Sequence, residues 1–204
     1  MADIYYIGGS PCCGKSTIAE MFSKKYDFYY LKADDFLDAY IERGSKENLR
    51  ICKKQYEMNA EQIWMRDAKL QTEEEIEFYK ETFTFLKQDL EKLSHQKTII
   101  TEGAAYLPEL MKAIGITSNH YMALVPTKTF QVEHYKQREW VPYILEGCSD
   151  KQTAFKNWMD RDALFALEIL KQCKIANYNS IIIDGTQTIN QIAKQVANNF
   201  GLEY

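Results

Sequence analysis

Residues 9–16, within the run GGSPCCGKST, have the types and spacing of a phosphate cradle. Glycine, four intervening residues, then Gly-Lys-Ser follow a short apolar run at 4–7 and open a helix-like stretch over about 15–25. Glycines let the backbone turn tightly and approach an anion without a Cβ in the way, so that consecutive N–H groups and a helix N-terminus face the phosphates. Lys15 reaches the outer phosphates, and Ser16 offers a hydroxyl to a magnesium ion whose shell is completed by phosphate oxygens and water. The candidate nucleotide site is therefore Gly9, Ser10, Pro11, Cys12, Cys13, Gly14, Lys15, Ser16 and Thr17. Thr17 either assists Ser16 or, as a first-turn residue, bonds the backbone or the nucleotide α-phosphate. Cys12 and Cys13 fill the loop; a thiol pKa lowered by the helix N-terminus would make Cys13 oxidation-sensitive.

These residues need a scaffold, and the sequence alternates short strand patterns with helical ones. Strands are expected at 4–7, 29–32, 98–101, 121–125 and 181–183. Helical period runs over much of 37–96 and over 127–138 and 153–174, and Ile189, Ile192, Val196 and Phe200 form the apolar stripe of a closing helix. Thr72-Glu73-Glu74-Glu75 has the form of a capping box ahead of Ile76, Tyr79, Phe83 and Leu86. The economical solution is an α/β three-layer sandwich, a five-stranded parallel sheet between helices with right-handed crossovers. In such sheets ligands sit beyond the carboxyl ends of the strands. Asp34 and Asp35 follow the second strand, Glu102 and Gly103 the third, so these carboxylates share a rim with the glycine-rich loop. As alternatives, both aspartates cap the next helix and Glu102 is a solvated strand-end carboxylate.

Length and composition bound the rest. With 204 residues, 46% hydrophobic and 26% charged, the chain suits one α/β domain, 1–204, carrying a helical insertion at about 37–96. A net charge of -4 gives no global attraction to nucleic acid or an anionic membrane. The five cysteines lack CxxC spacing, and no stretch approaches the roughly 20 apolar residues of a membrane span. The chain opens on a strand pattern without a signal-like segment, which reads as cytoplasmic. His95, His120 and His134 lack ligand spacing and are assigned no chemistry.

The order of parts resembles P-loop small-molecule and nucleoside kinases of the adenylate kinase and shikimate kinase type. The resemblance covers most of the chain, and its one specific motif is the P-loop. It implies ATP and Mg2+ as cofactors and a small-molecule acceptor. Asp34, with Asp35 as alternate, stands where such kinases place the carboxylate that activates the acceptor hydroxyl or organises magnesium. Glu102 stands in the Walker B-like position and would hold magnesium through water. A lid over about 127–160, its mobile part at 139–151 around Pro142 and Gly147, would bring Arg138 over the transferring group. Arg161, in NWMDRDALF, would reach the phosphates of nucleotide or substrate; for either arginine the alternative is a surface ion pair with Glu139, Asp160 or Asp162. Gly185 and Thr186 fall where such kinases wrap the adenine with backbone groups, and no guanine-reading NKxD motif is present.

The chain departs from shikimate kinases in having adjacent aspartates and Glu102-Gly103 in place of an Asp-x-Asp pair and a glycine triplet, which disfavours shikimate. Within 37–96, Tyr56, Trp64, Tyr79, Arg43, Arg50 and Arg66 are available to select an acceptor, though aromatics there more often build core. The expected activity is transfer of the γ-phosphoryl of MgATP to a small-molecule or nucleoside-type acceptor. Two other readings are a regulatory P-loop ATPase that binds a partner and a kinase of a large acceptor.

Overall fold

The computed structural model describes residues 3–93 and 97–204. His95, and Gln96 at the end of the expected 37–96 segment, lie outside the described residues. Five parallel strands, β1 (Ile4–Gly9), β2 (Tyr29–Lys32), β3 (Ile99–Glu102), β4 (Tyr121–Pro126) and β5 (Ser180–Ile183), form one sheet in the order β2-β3-β1-β4-β5. The sheet carries helices on both faces, as the alternating pattern implied. Alternate residues separate the two faces: Tyr5, Ile7, Ile100, Met122 and Leu124 pack with α1 (Lys15–Tyr26) and α10 (Ile189–Phe200). Tyr6, Ile99, Tyr121, Ala123 and Val125 pack on the other side with α5 (Ala68–Leu93), α6 (Pro108–Ala113) and α9 (Lys151–Ala176).

Between β2 and α5 lie a 3-10 turn (Ala33–Phe36), α2 (Leu37–Lys46), α3 (Arg50–Glu57) and α4 (Ala60–Trp64). After β4 come α7 (Lys128–Lys136) and the four-residue α8 (Val141–Ile144). A third apolar cluster, with Tyr135, Val141, Leu145, Trp158 and Met159, ties this stretch to α9, and Trp64 stacks on Trp158 at 4.5 Å between centroids. Among the described residues, no helix is long and apolar enough to cross a membrane.

Two helices begin earlier than their sequence patterns suggest. Thr72-Glu73-Glu74-Glu75 is not a capping box, because α5 already starts at Ala68, where the Asp67 carboxylate accepts from the N–H groups of Lys69 and Leu70 at 3.0 and 3.1 Å. Thr72 instead bonds the carbonyls of Ala68 and Arg161, while Glu74 and Glu75 turn inward to basic partners. Likewise Asp150, accepting from Gln152 and Thr153 N–H at 3.0 Å, starts α9 two residues before the expected 153.

Gly9 sets the spacing of the sheet centre. Its φ is +117°, and a Cβ there would lie 1.9 Å from the carbonyl oxygen of Leu124 on β4. Gly9→Ala is expected to lower stability by about 2–3 kcal/mol, from backbone strain and overpacking together. Chemical denaturation measures it, and an unchanged midpoint would mean that β1 and β4 move apart at little cost.

Candidate active site

The loop between β1 and α1 turns through two left-handed positions, Cys12 at φ +63° and Gly14 at φ +83°. No side chain caps α1, which leaves its first N–H groups directed to whatever occupies the loop. Lys15 is buried at 6% exposure, and its ammonium donates to the Ser10 carbonyl at 2.8 Å, within the loop it serves. Burial works to lower its pKa, but the Cys13 sulfur, Glu102 and Asp34 outweigh it, so Lys15 stays charged.

A cavity of about 540 Å³ opens over this loop. Pro11, Cys12, Cys13, Gly14, Lys15, Ser16 and Thr17 form its floor, with Asp34, Glu102 and Arg138 on its walls. Gly9 and Ser10 do not line it: Gly9 is packed against β4, and the fully buried Ser10 hydroxyl donates to the Asp162 carbonyl at 3.3 Å. These two positions shape the loop from below.

Glu102 ends β3 with 1% exposure, and its Oε1 accepts from the Ser16 hydroxyl at 3.0 Å and from Tyr30 at 2.9 Å. This replaces the solvated strand-end alternative. Tyr30 had no sequence signal, because its reach depends on β2 lying beside β3 with Lys32 paired to Glu102, which makes Tyr30 a diagonal neighbour of the carboxylate.

The structure separates the two aspartates. Asp34 faces the cavity and makes no side-chain hydrogen bond or ion pair among the described residues, whereas Asp35 points away to Lys32 at 3.2 Å. Neither caps a helix, since the 3-10 turn and α2 both lack a side-chain cap. Solvent reaches Asp34 through the cavity, but the protein packed around it raises its pKa; Lys15 and Lys32 pull downward and Glu102 upward.

Arg138 also makes no ion pair among the described residues, and its guanidinium lies 5.3 and 5.4 Å from the rings of Tyr135 and Trp140. It borders a second cavity of about 310 Å³ with Phe130, His134, Ile183, Gln187, Ile189 and Ile192. Gly185 and Thr186, expected at this place, do not line it: Thr186 is turned back onto the Asp184 carboxylate at 2.7 Å. Gln187 of the same stretch after β5 lines it with Ile189, and His134, given no chemistry on sequence, is part of the wall through its stacking on Phe130.

Arg161 does not line the cavity; it makes the ion pair with Asp162 that the alternative named, but inside the protein rather than on its surface. It is buried at 9% exposure, ion-paired to Glu75 from α5, with its Nε 2.7 Å from Asp162 Oδ1. The sequence missed Glu75 because it lies 86 positions away and meets Arg161 only when α5 packs on α9. Burial pushes the Asp162 carboxyl up to about 6, even against the pull of Arg161. Cys13 is likewise not an activated thiol. It is buried and donates to the Ser10 carbonyl, and burial raises its pKa, as it raises Cys12 to about 11.

Of the substrate-selecting candidates, Tyr79 lines the main cavity. Trp64 is stacked in the core, Tyr56 is exposed, and Arg66 is tied to Glu74 at 2.5 Å. Arg43 sits on Phe85 and pairs with Glu47.

No protein-family model matches the sequence, and comparison with curated proteins finds no match. Among solved structures, the chain is similar to a shikimate kinase from Bacteroides thetaiotaomicron, with TM-score 0.54, 16% identity, and 98% of this chain and 99% of that one covered. It is also similar to a deoxyadenosine kinase from M. mycoides with bound dATP (TM-score 0.51, 12% identity, 98% and 99% covered). A gluconokinase from Sinorhizobium meliloti 1021 gives TM-score 0.50, 11% identity, and 98% and 91% coverage. The resemblance to P-loop small-molecule and nucleoside kinases thus holds at the level of the fold.

Proposed function

We propose that this protein is a kinase transferring the γ-phosphoryl group of MgATP to a hydroxyl of a small-molecule or nucleoside-type acceptor. The observation that carries this reading is the cavity lined by the P-loop and Lys15 together with a carboxylate, Asp34, that makes no ion pair among the described residues. A phosphate cradle alone would serve any nucleotide-binding protein. A carboxylate free to accept a proton beside it is what transfer to a hydroxyl requires.

The loop N–H groups, Thr17 and Lys15 hold the phosphates, and the apolar second cavity between Phe130 and Ile189 takes the base. Asp34 accepts the proton of the acceptor hydroxyl as its oxygen bonds to the γ-phosphorus; the bond to the β-phosphate oxygen breaks and ADP leaves with that electron pair. Arg138, at the boundary of the two cavities, stabilises the charge on the phosphoryl group in transit. Among the described residues, no cluster of three or more His, Cys, Asp or Glu side chains could hold a metal without other ligands. The hydroxyl and carboxylate of the Ser16–Glu102 pair fit Mg2+, which takes most of its ligands from phosphates and water, and Asp34 is the further carboxylate within the same cavity. When bound, the ion neutralises phosphate charge.

The test is to incubate the protein with MgATP and a small-molecule cell extract and search by mass spectrometry for species that gain one phosphoryl group, with Asp34→Asn as control. A product made only by the wild type supports the kinase. ADP and free phosphate alone would favour the regulatory ATPase. Independently, Lys15→Ala should weaken ATP binding by about 1.5–3 kcal/mol, the worth of a charge-assisted contact; titration calorimetry measures it, and unchanged affinity would remove Lys15 from the phosphate site.

A further inference from the structure

Resting on the kinase reading, we infer that the acceptor carries no negative charge and presents an apolar or aromatic face beside its reactive hydroxyl. Beyond the P-loop, the cavity wall is made by the carboxylates Asp34 and Glu102, the cations Lys32 and Arg138, and a set of rings and aliphatic groups that includes Tyr79, Tyr135 and Trp140. A bound carboxylate or phosphate there would need a cation, and on the kinase reading none is left for it: Lys32 has a partner in the protein and Arg138 serves the nucleotide phosphates.

Lys15 belongs to the phosphate loop and donates to the Ser10 carbonyl. Lys32 reaches the cavity but pairs with Asp35 at 3.2 Å. Arg161 lies behind the wall with two counter-ions, Glu75 and Asp162. Arg138 borders both cavities, where the nucleotide phosphates claim it.

The polar tips of the wall are directed away as well. The Tyr79 hydroxyl donates to Glu75 Oε1 at 2.8 Å, and the Tyr135 hydroxyl is engaged by Asp162. Both residues therefore offer ring surface to an acceptor. Asp34 keeps its free acceptor oxygens, which suit a hydroxyl or an ammonium and repel an anion. Trp140, 42% exposed at the rim, adds a further ring face. An anionic acceptor would put like charge against Asp34 and Glu102, whereas a neutral or cationic one meets no such opposition. The wall thus selects by charge first and by ring packing second.

The experiment splits a small-molecule cell extract on an anion exchanger near neutral pH, so that anionic compounds are retained and neutral and cationic ones pass through. Each fraction is incubated with the full-length protein and MgATP, with Asp34→Asn as control, and phosphorylated species are counted by mass spectrometry. The Asp34-dependent product is expected from the unretained fraction, in about hundredfold excess or more over the retained one. A product arising mainly from the retained fraction would overturn the charge inference while leaving the kinase intact. ADP release with no phosphorylated species from either fraction would overturn both.

Discussion

Asp34→Asn is expected to lower phosphoryl transfer by about 10²- to 10⁴-fold while leaving nucleotide affinity nearly unchanged, the signature of losing a general base. The substitution keeps size and polarity at a position whose side chain bonds nothing among the described residues, so the fold has little to lose. Steady-state transfer rates and ATP titration on the same samples separate the two quantities. Full activity in the variant would take Asp34 out of the mechanism, and a parallel collapse of ATP binding would move it to the metal.

The pH profile carries a second signature of the same group. The protein packed around Asp34 raises its pKa from the ordinary aspartate value, and the base works only when ionised, so activity should fall on acidification. Lys32 is one of the charges that hold this pKa down. Lys32→Met removes that help, and the acid limb of kcat/KM should move to higher pH. A limb that stays in place would mean that another group titrates.

The other large effect belongs to Arg161. Arg161→Met should destabilise the fold by about 3–5 kcal/mol, because it leaves the buried Asp162 and the half-buried Glu75 without their cation. Thermal or denaturant unfolding measures this. A variant of normal stability that has lost only transfer would place Arg161 on the phosphates after all.

The loss should also be smaller near about pH 5 than near about pH 8. The folded-state pKa of Asp162 is about 6, above the value of roughly 3.9 in an unfolded chain, so its stabilising contribution is full below the lower value and is lost as pH rises through the upper. Without Arg161 the folded pKa rises further, and protonation relieves more of the penalty.

What the sequence determined by itself is local. The glycine-rich loop is contiguous, so its place between a strand and a helix, over residues 11–17, was legible without a structure. The five strands were legible too, because buried parallel strands are short apolar runs bounded by turn residues. The rim that gathers Asp34 and Glu102 followed from strand polarity alone.

Only the tertiary structure decided what depends on contacts between distant segments. It placed Asp34 in the cavity and Asp35 against Lys32, because the 3-10 turn directs the two side chains differently. It brought Tyr30 to Glu102 through strand order, and it buried Arg161 between Glu75 and Asp162 through the packing of α5 on α9. A charge written in sequence has no direction or partner. Those come from the fold, which here set Arg161 between the buried Asp162 and the half-buried Glu75.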